Sequence, residues 1–453
     1  MKVKFLSMLT AAALMTGVTS CNNDDDAIGG GNGVTKGEPT TMSISIKTPS
    51  VPGTYADDIN ATNSEVAMNS VTLLVYEKNA MNAYVLEQKE TLNPGDFTLT
   101  SPDTYTSSTQ ISTTTGSKKI FVGMNLPSAV TLPAVDTPLS TLEGLILSIG
   151  AKGDLSVANQ FAMFSGEATD KTLVAEVTPG TTPTGNAITV AVKRMVAKVT
   201  VQDGITRGTS GEIESEGGWL FNLTTALGNS NKTSYILQKR VGTAPNIVIQ
   251  DANWDVNAWN AGDFFGINAA ADYQALDPST ATVATMTPMY APENTASSHR
   301  TDGNNLTYIS VRAKYVPGTF CDGTGATKVT NTSTTTPESF WVVSEANGTI
   351  RYFNLESEAD AYKLATAGSE KSAKYVDGLC YFRAYINKAA SSDVTGSKVA
   401  MYDFLRNNYY KAVIKSIKAP GYPEDKGDVK VATTITVDVE VSPWAVVAED
   451  HNL

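Results

Sequence analysis

Polar and apolar residues alternate with a period of two along much of this chain, the spacing of strands that bury one face and wet the other. Thr41–Lys47 sets Met42, Ile44 and Ile46 on one side and Ser43, Ser45 and Lys47 on the other. Further strands are predicted at 70–76, 119–124, 188–201, 218–223, 306–315, 339–343, 379–386 and 409–417. Residues 432–441 alternate almost without fault, with Ile435, Val437, Val439 and Val441 opposite Thr434, Thr436, Asp438 and Glu440. A short apolar segment, Trp444 to Ala448 with Val446 at its centre, follows Ser442-Pro443. Between the strands lie Gly-, Pro- and Asn-rich stretches, and Leu142, Leu145 and Ile146 predict a short helix within 139–158. Many short strands with this punctuation make an all-β protein built of sandwiches, and no internal repeat of fixed period is visible.

The start of the chain follows a different pattern. Lys2 and Lys4 precede an apolar run from Phe5 to Met15, then small residues, then Cys21 and the polar run Asn22–Asp26. This is the order of a secretory signal, with a cleavage point before cysteine. The expectation is a lipoprotein precursor: residues 1–20 removed, and Cys21 joined to diacylglycerol and palmitate as the sole membrane attachment. The apolar run is too short to span a bilayer, which takes about 20 residues. The Asp-rich run after Cys21 resembles the surface-export signal of Bacteroidota lipoproteins. Residues 21–39, rich in Asn, Asp and Gly, are then a tether. The length of 453 residues suggests two further domains, 40–203 and 204–453, divided near the polar stretch 204–218.

Charge and composition remove several classes of function. The chain has 34 basic and 46 acidic residues, a net of −12. Without residues 1–20, which carry Lys2 and Lys4, the balance is 32 against 46, or −14. Such a surface repels nucleic acid and anionic lipid. Only two histidines, His299 and His451, are present, and no nucleophile elbow, Walker loop, HExxH or paired-cysteine motif occurs. No cofactor, metal or enzymatic activity is expected. Apart from Cys21 there are Cys321, in a turn-like stretch, and Cys380, which shares a strand face with Phe382, Ala384 and Ile386. Whether these two are bridged stays open.

Four smaller features have competing readings, and in each the plainer one is favoured. Asp251-Ala-Asn-Trp-Asp255 has oxygen ligands but lacks the glycine and glutamate of a calcium loop, so it reads as a turn. Lys426-Gly-Asp428 has the look of an integrin-binding tripeptide and is read as a surface turn. Trp254, Trp259, Phe264 and Phe265 suit a sugar platform less well than packing. His299 lacks a second histidine at ligand spacing and reads as a solvated loop residue.

Four stretches together resemble a known family. They are the Cys21 leader with the strand at 41–47, the segment Val192-Lys-Arg-Met-Val-Ala-Lys-Val199, Tyr290-Ala-Pro-Glu-Asn-Thr295, and the run from Tyr409 to Gly421 leading to Val441-Ser-Pro-Trp444. In this order they resemble the Bacteroidales fimbrillins, subunits of the type V pilus, and within them the minor-fimbria branch of major subunits. The resemblance implies two transthyretin-like β-sandwich domains with Greek-key topology and a few short helices. It also implies a surface fimbria reached by way of an outer-membrane lipoprotein. A protease removes the leader with the first strand (Met42, Ile44, Ile46), and the vacated groove accepts a C-terminal strand of a neighbouring copy from 432–453. Ile435, Val437, Val439, Val441, Trp444 and Val446 are its donor residues, with the choice between the two segments open. Implied partners are copies of itself, other fimbrial subunits, the protease, and a host or bacterial surface receptor serving adhesion and colonisation.

One departure matters. Family members cut by an arginine-specific protease carry Arg after the first strand, whereas this chain has none before Arg194. Arg194 lies in an alternating strand and reads as structural. Either another protease cuts near Lys47, Gly53 and Thr54, or the subunit stays uncut as an anchor. A tip subunit, or a monomeric lipoprotein that binds glycan or host protein, are the remaining alternatives.

Overall fold

The computed structural model describes residues 37–443 except 50–61, 102, 179, 209–210, 216, 244–246, 255–259, 283–284, 296–304, 332–334, 387–390, 393–397, 400–402 and 426–434. Cys21, Gly53, Thr54, Trp259, His299, Lys426, Gly427, Asp428, Trp444, Val446 and His451 therefore lie outside the described residues. The described chain is all-β with a few short helices.

Strands form where the alternation predicts them, and the first, Pro39–Lys47, buries every second residue from Thr40 to Ile46. It lies in the path of a ten-stranded sheet. The order runs Tyr84–Leu92, Val71–Lys78, Gly116–Met124, Met163–Ser165, Ala187–Arg194, Pro39–Lys47, Thr104–Ser107 and Phe97–Ser101. The first strand runs parallel to Ala187–Arg194 and antiparallel to Thr104–Ser107, while its N-terminal half also pairs with Ile111–Thr114. One apolar cluster fills this half, with Met42, Ile44, Ile46, Leu73, Val75, Phe121, Val190 and Val192 among its members.

The second half builds its core between two sheets. In one, Val196–Asp203 pairs in parallel with Asn408–Ile417, and Ile435–Pro443 closes the edge. In the other, Gly218–Gly228, Tyr308–Pro317 and Leu379–Tyr385 run antiparallel. Their side chains share a cluster that includes Val199, Leu220, Val311, Phe382, Ile414 and Val437. A satellite of Trp341–Ser344, Ile350–Phe353 and the helix Glu356–Ala365 packs around Val343, Phe353 and Tyr362.

Two expectations about local structure need correction. The single strand expected at 188–201 is two, Ala187–Arg194 and Val196–Asp203, because Met195 leaves the ladder and donates its N–H to the Ala162 carbonyl at 2.9 Å. Apolar membership passes between the two clusters at this break, from Val196 to Ala197. The helix expected within 139–158 covers only Leu139–Glu143, since Ile146–Ser148 leaves it to pair with Thr233–Tyr235. Cys321 and Cys380 are both buried free thiols. Cys380 accompanies Phe382, Ala384 and Ile386 into the core, and burial pushes its pKa up to about 12. Among the described residues no helix is long and apolar enough to cross a membrane.

Candidate functional site

The first strand sits in a slot that it closes on both edges. Met42, Ile44 and Ile46 are wholly buried, and Thr40 is 3 % exposed. Fully burying such aliphatic side chains is worth about 1.5–3 kcal/mol each, so the three contribute roughly 4.5–9 kcal/mol as an upper bound. The ladders pair Ser43 to Lys47 with Ala187 to Ala191 on one side, and Ser45 to Lys47 with Thr106 to Thr104 on the other.

The outward face adds polar links. Thr41 and Thr182 share a hydroxyl contact of 3.0 Å, as do Ser45 and Thr106. Lys47 lies 3.7 Å from Asp103. The strand's exit is also tied, because Thr48 donates its N–H to the Asp103 carbonyl at 2.8 Å. Lys47 is thus held in the ladder and Thr48 is buried, while Gly53 and Thr54 fall outside the described residues.

A single buried amide stands at the mouth of the slot. Asn186 is wholly buried, and its Nδ2 donates to Thr40 Oγ1 (3.1 Å), to the Thr41 carbonyl (2.9 Å) and to the Val174 carbonyl (2.9 Å). Its Oδ1 accepts the Val174 N–H at 2.9 Å. Nothing in the sequence marks this residue, which lies between Gly185 and the strand beginning at Ala187.

The closing strand is built differently. Ile435–Pro443 pairs only with Asn408–Ile417 among the described residues and leaves its other edge open. Val437 is buried and Val439 packs partly against the second core, while Asp438 and Glu440 face solvent. Its backbone register sets Ile435 opposite Ile417 and Val441 opposite Tyr410. The chain before it is anchored by Asp425, which accepts from Arg383 Nε at 3.2 Å and from the Tyr308 hydroxyl at 3.3 Å.

Between the two cores lies a buried ion cluster. Lys198 Nζ is 2.9 Å from Glu65 Oε1, with both side chains almost wholly buried. Tyr290 donates its hydroxyl to the same Glu65 oxygen at 2.6 Å, and Arg194 Nε donates to the Glu65 carbonyl at 3.0 Å. Asn407 Oδ1 accepts the Arg194 N–H at 3.2 Å. Burial lowers the pKa of Arg194 to about 10 and lowers that of Lys198, with Glu65 opposing both shifts. Three of the four distinctive sequence stretches meet here: Arg194 and Lys198, Tyr290, and Tyr409, whose ring centre lies 5.5 Å from Lys198 Nζ. Nothing in the sequence marks Glu65, which lies between the strands at 41–47 and 70–76, since a lone glutamate among Asn and Ser carries no sign of burial.

Of the smaller candidates, Asp251, Phe264 and Phe265 are packed into the described structure. Asp251 is buried and accepts from the Asn253 N–H (3.1 Å), a local turn bond, and from the Thr295 N–H (2.7 Å) and the Asn231 amide (3.0 Å), which tie it to two distant segments. Burial raises its pKa to about 7. Phe264 is buried and Phe265 packs on the first core. Among the described residues no group of three or more His, Cys, Asp or Glu is placed to hold a metal ion.

Residues 373–450 match the family described as major fimbrial subunit protein type IV, fimbrillin, C-terminal. A solved protein of Parabacteroides distasonis, named for cell adhesion, is 14 % identical with a TM-score of 0.50, over 90 % of this chain and 99 % of that one. A fimbrilin from Porphyromonas gingivalis is 16 % identical with a TM-score of 0.48, over 90 % and 98 %. The tip fimbrial protein Mfa3 of Porphyromonas gingivalis, truncated at its C-terminus, is 13 % identical with a TM-score of 0.41, over 90 % and 100 %. No curated protein matches. The first of these structures shares its fold with this chain, and residues 373–450 are similar to the C-terminal part of the fimbrillins.

Proposed function

We propose that this chain is a structural subunit of a surface fimbria, exported as a lipoprotein through Cys21 and polymerised by exchange of its first strand for a neighbour's C-terminal strand. The observation that carries the proposal is the contrast between the two ends. The first strand is a plug, buried on one face and paired on both edges. The closing strand is an edge, paired on one side among the described residues. Removing the plug leaves an unpaired sheet edge beside an apolar slot, and a strand from another molecule satisfies both at once. In this reading 40–203 is the acceptor domain, and 204–453 is the domain that carries the donor.

Cleavage belongs beyond Pro49, because Lys47 and Thr48 are held in hydrogen bonds that a protease would have to break. Adhesion and colonisation follow from the polymer, whose binding partner is a surface receptor. The experiment is N-terminal sequencing and intact mass of protein sheared from its native cells, with electron microscopy of the same material. Filaments whose subunits begin after Pro49 are expected. Filament subunits that still begin at a lipidated Cys21 would overturn strand exchange, and non-filamentous protein with that start would mark an anchor or a monomeric binding lipoprotein.

A further inference from the structure

Besides filling its slot, the first strand holds a neighbouring hairpin in the sheet. The hairpin consists of Phe97–Ser101 and Thr104–Ser107, whose ladders among the described residues run only to each other and to the first strand. On the far side of the first strand stands Ala187–Arg194, with the rest of the sheet beyond it. Asp96 closes the base of the hairpin by accepting the Ser108 N–H at 2.8 Å, so its two strands move as one body. Once the first strand leaves, two rows of unpaired backbone groups face each other across a gap one strand wide, and each is an open edge.

The two rows match. Thr104–Ser107 runs antiparallel to the first strand, which runs parallel to Ala187–Arg194, so the rows on either side of the gap are antiparallel to each other. Ser45 lies opposite both Thr106 and Thr189, and Ile46 opposite both Tyr105 and Val190. Successive residues of a strand turn their N–H and C=O to alternate edges. Whichever edge Ser45 turns to, Thr106 and Thr189 therefore both turn towards the gap or both away from it, as opposed residues of an antiparallel ladder must. A sideways step of one strand spacing, about 4.8 Å, pairs Thr106 with Thr189 without a slip that would turn side chains to the other face. The same step keeps Tyr105, already packed on the first core, on the inner face beside Val190, where Ile46 stood.

Resting on the strand-exchange reading above, we propose that this hairpin is a lid. It closes on Ala187–Arg194 in a subunit that has lost its first strand and has not yet met a neighbour, and it hides both edges from wrong partners. The closed lid is a weaker seal than a strand. It restores the ladder, but Tyr105 takes only the place of Ile46 and leaves those of Met42 and Ile44 without an aliphatic side chain. A neighbour's strand that fills all three places displaces it.

Thr106 and Thr189 provide the test. With the first strand between them they stand two strand spacings apart, about 9–10 Å, outside the Cα separation of about 4.4–6.8 Å that a disulfide spans. The full-length chain carries C21S, T106C and T189C, with the recognition sequence of a site-specific protease inserted after Gly53. It is cleaved, freed of its first strand by gel filtration in dilute urea, returned to buffer, checked by intact mass and exposed to a mild oxidant. The uncut chain is expected to stay reduced and the cleaved one to form the disulfide. No disulfide after the strand has left overturns the lid, and so does one that forms equally fast in the uncut chain. Hydrogen exchange of the cleaved chain with both threonines intact reads the lid without cysteines: the amides of 104–107 and 187–191 that faced the first strand are expected to stay protected, and free exchange of both rows overturns the lid. In filaments from native cells expressing T106C and T189C the pair is expected to stay reduced, because a neighbour's strand lies between the two positions. A disulfide there, in subunits that begin after Pro49, overturns strand exchange and leaves the lid standing.

Discussion

If the first strand is exchanged on assembly, Ile44, like Met42 and Ile46, distinguishes the precursor from the assembled subunit. It is wholly buried, in the middle of the first strand, and belongs to the first core. In the uncut chain Ile44→Ala removes the transfer free energy of the lost carbons and leaves a cavity between two paired neighbours, at a cost of about 2–5 kcal/mol. The midpoint of thermal unfolding for a domain of this size would fall by roughly 2–4 °C per kcal/mol. The assay is urea and thermal unfolding of the full-length chain beside heat dissociation of filaments from cells carrying the same substitution. The precursor should be destabilised by that amount, whereas the filaments should dissociate at the wild-type temperature, because the strand bearing residue 44 is no longer there. Filaments weakened as much as the precursor would refute the reasoning, since the first strand would then still occupy its slot.

Other consequences are open to measurement. Glu65→Leu leaves Lys198 buried without its carboxylate and should cost about 3–5 kcal/mol in urea unfolding; a loss below about 1 kcal/mol would mean that the cluster is not desolvated as the geometry indicates. Asp251 holds its proton up to about pH 7 in the folded chain, so between its unfolded pKa of 3.8 and that value the native state binds more protons than the unfolded one. Stability from this group is therefore full below the unfolded pKa and lost as pH rises towards 7, by at most about 1.4 kcal/mol per pH unit; Asp251→Asn should flatten that slope in urea midpoints taken at pH 5 and 7.5. In a chain carrying Cys21→Ser, neither remaining thiol should react with a thiol reagent at pH 8 until urea unfolds it, and rapid labelling of Cys380 in the native protein would contradict its burial.

The parity of the strands was legible because burial on one face leaves a period-two trace. Met42, Ile44 and Ile46 point inward as their spacing requires, and so do Cys380, Phe382 and Ala384. The break at Met195 was not legible, because the pattern continues through it. Beyond it Lys198, Thr200 and Gln202 read as a wet face yet are buried: Lys198 meets Glu65, Thr200 meets the Tyr409 hydroxyl at 2.7 Å, and Gln202 reaches the Ala281 carbonyl at 2.9 Å. Their partners lie 79 to 209 residues away along the chain or in a loop that reads as polar, and no local pattern encodes them. Asn186 escaped for the same reason, since its partners at Thr40 and Thr41 are 146 and 145 residues away.

The first strand is joined to the rest of its half only through the chain that leaves Pro49, and this gives proteolysis a quantitative meaning. While that connection is whole, the strand competes for its slot at the effective concentration of a tethered segment, on the order of millimolar, and no free strand at cellular concentration displaces it. One cut in the connection lowers that figure to the concentration of a released peptide without altering a single contact in the slot. In the strand-exchange reading, the competition then passes to whichever strand is locally most concentrated, which on a growing fibre would be the one held by its neighbour.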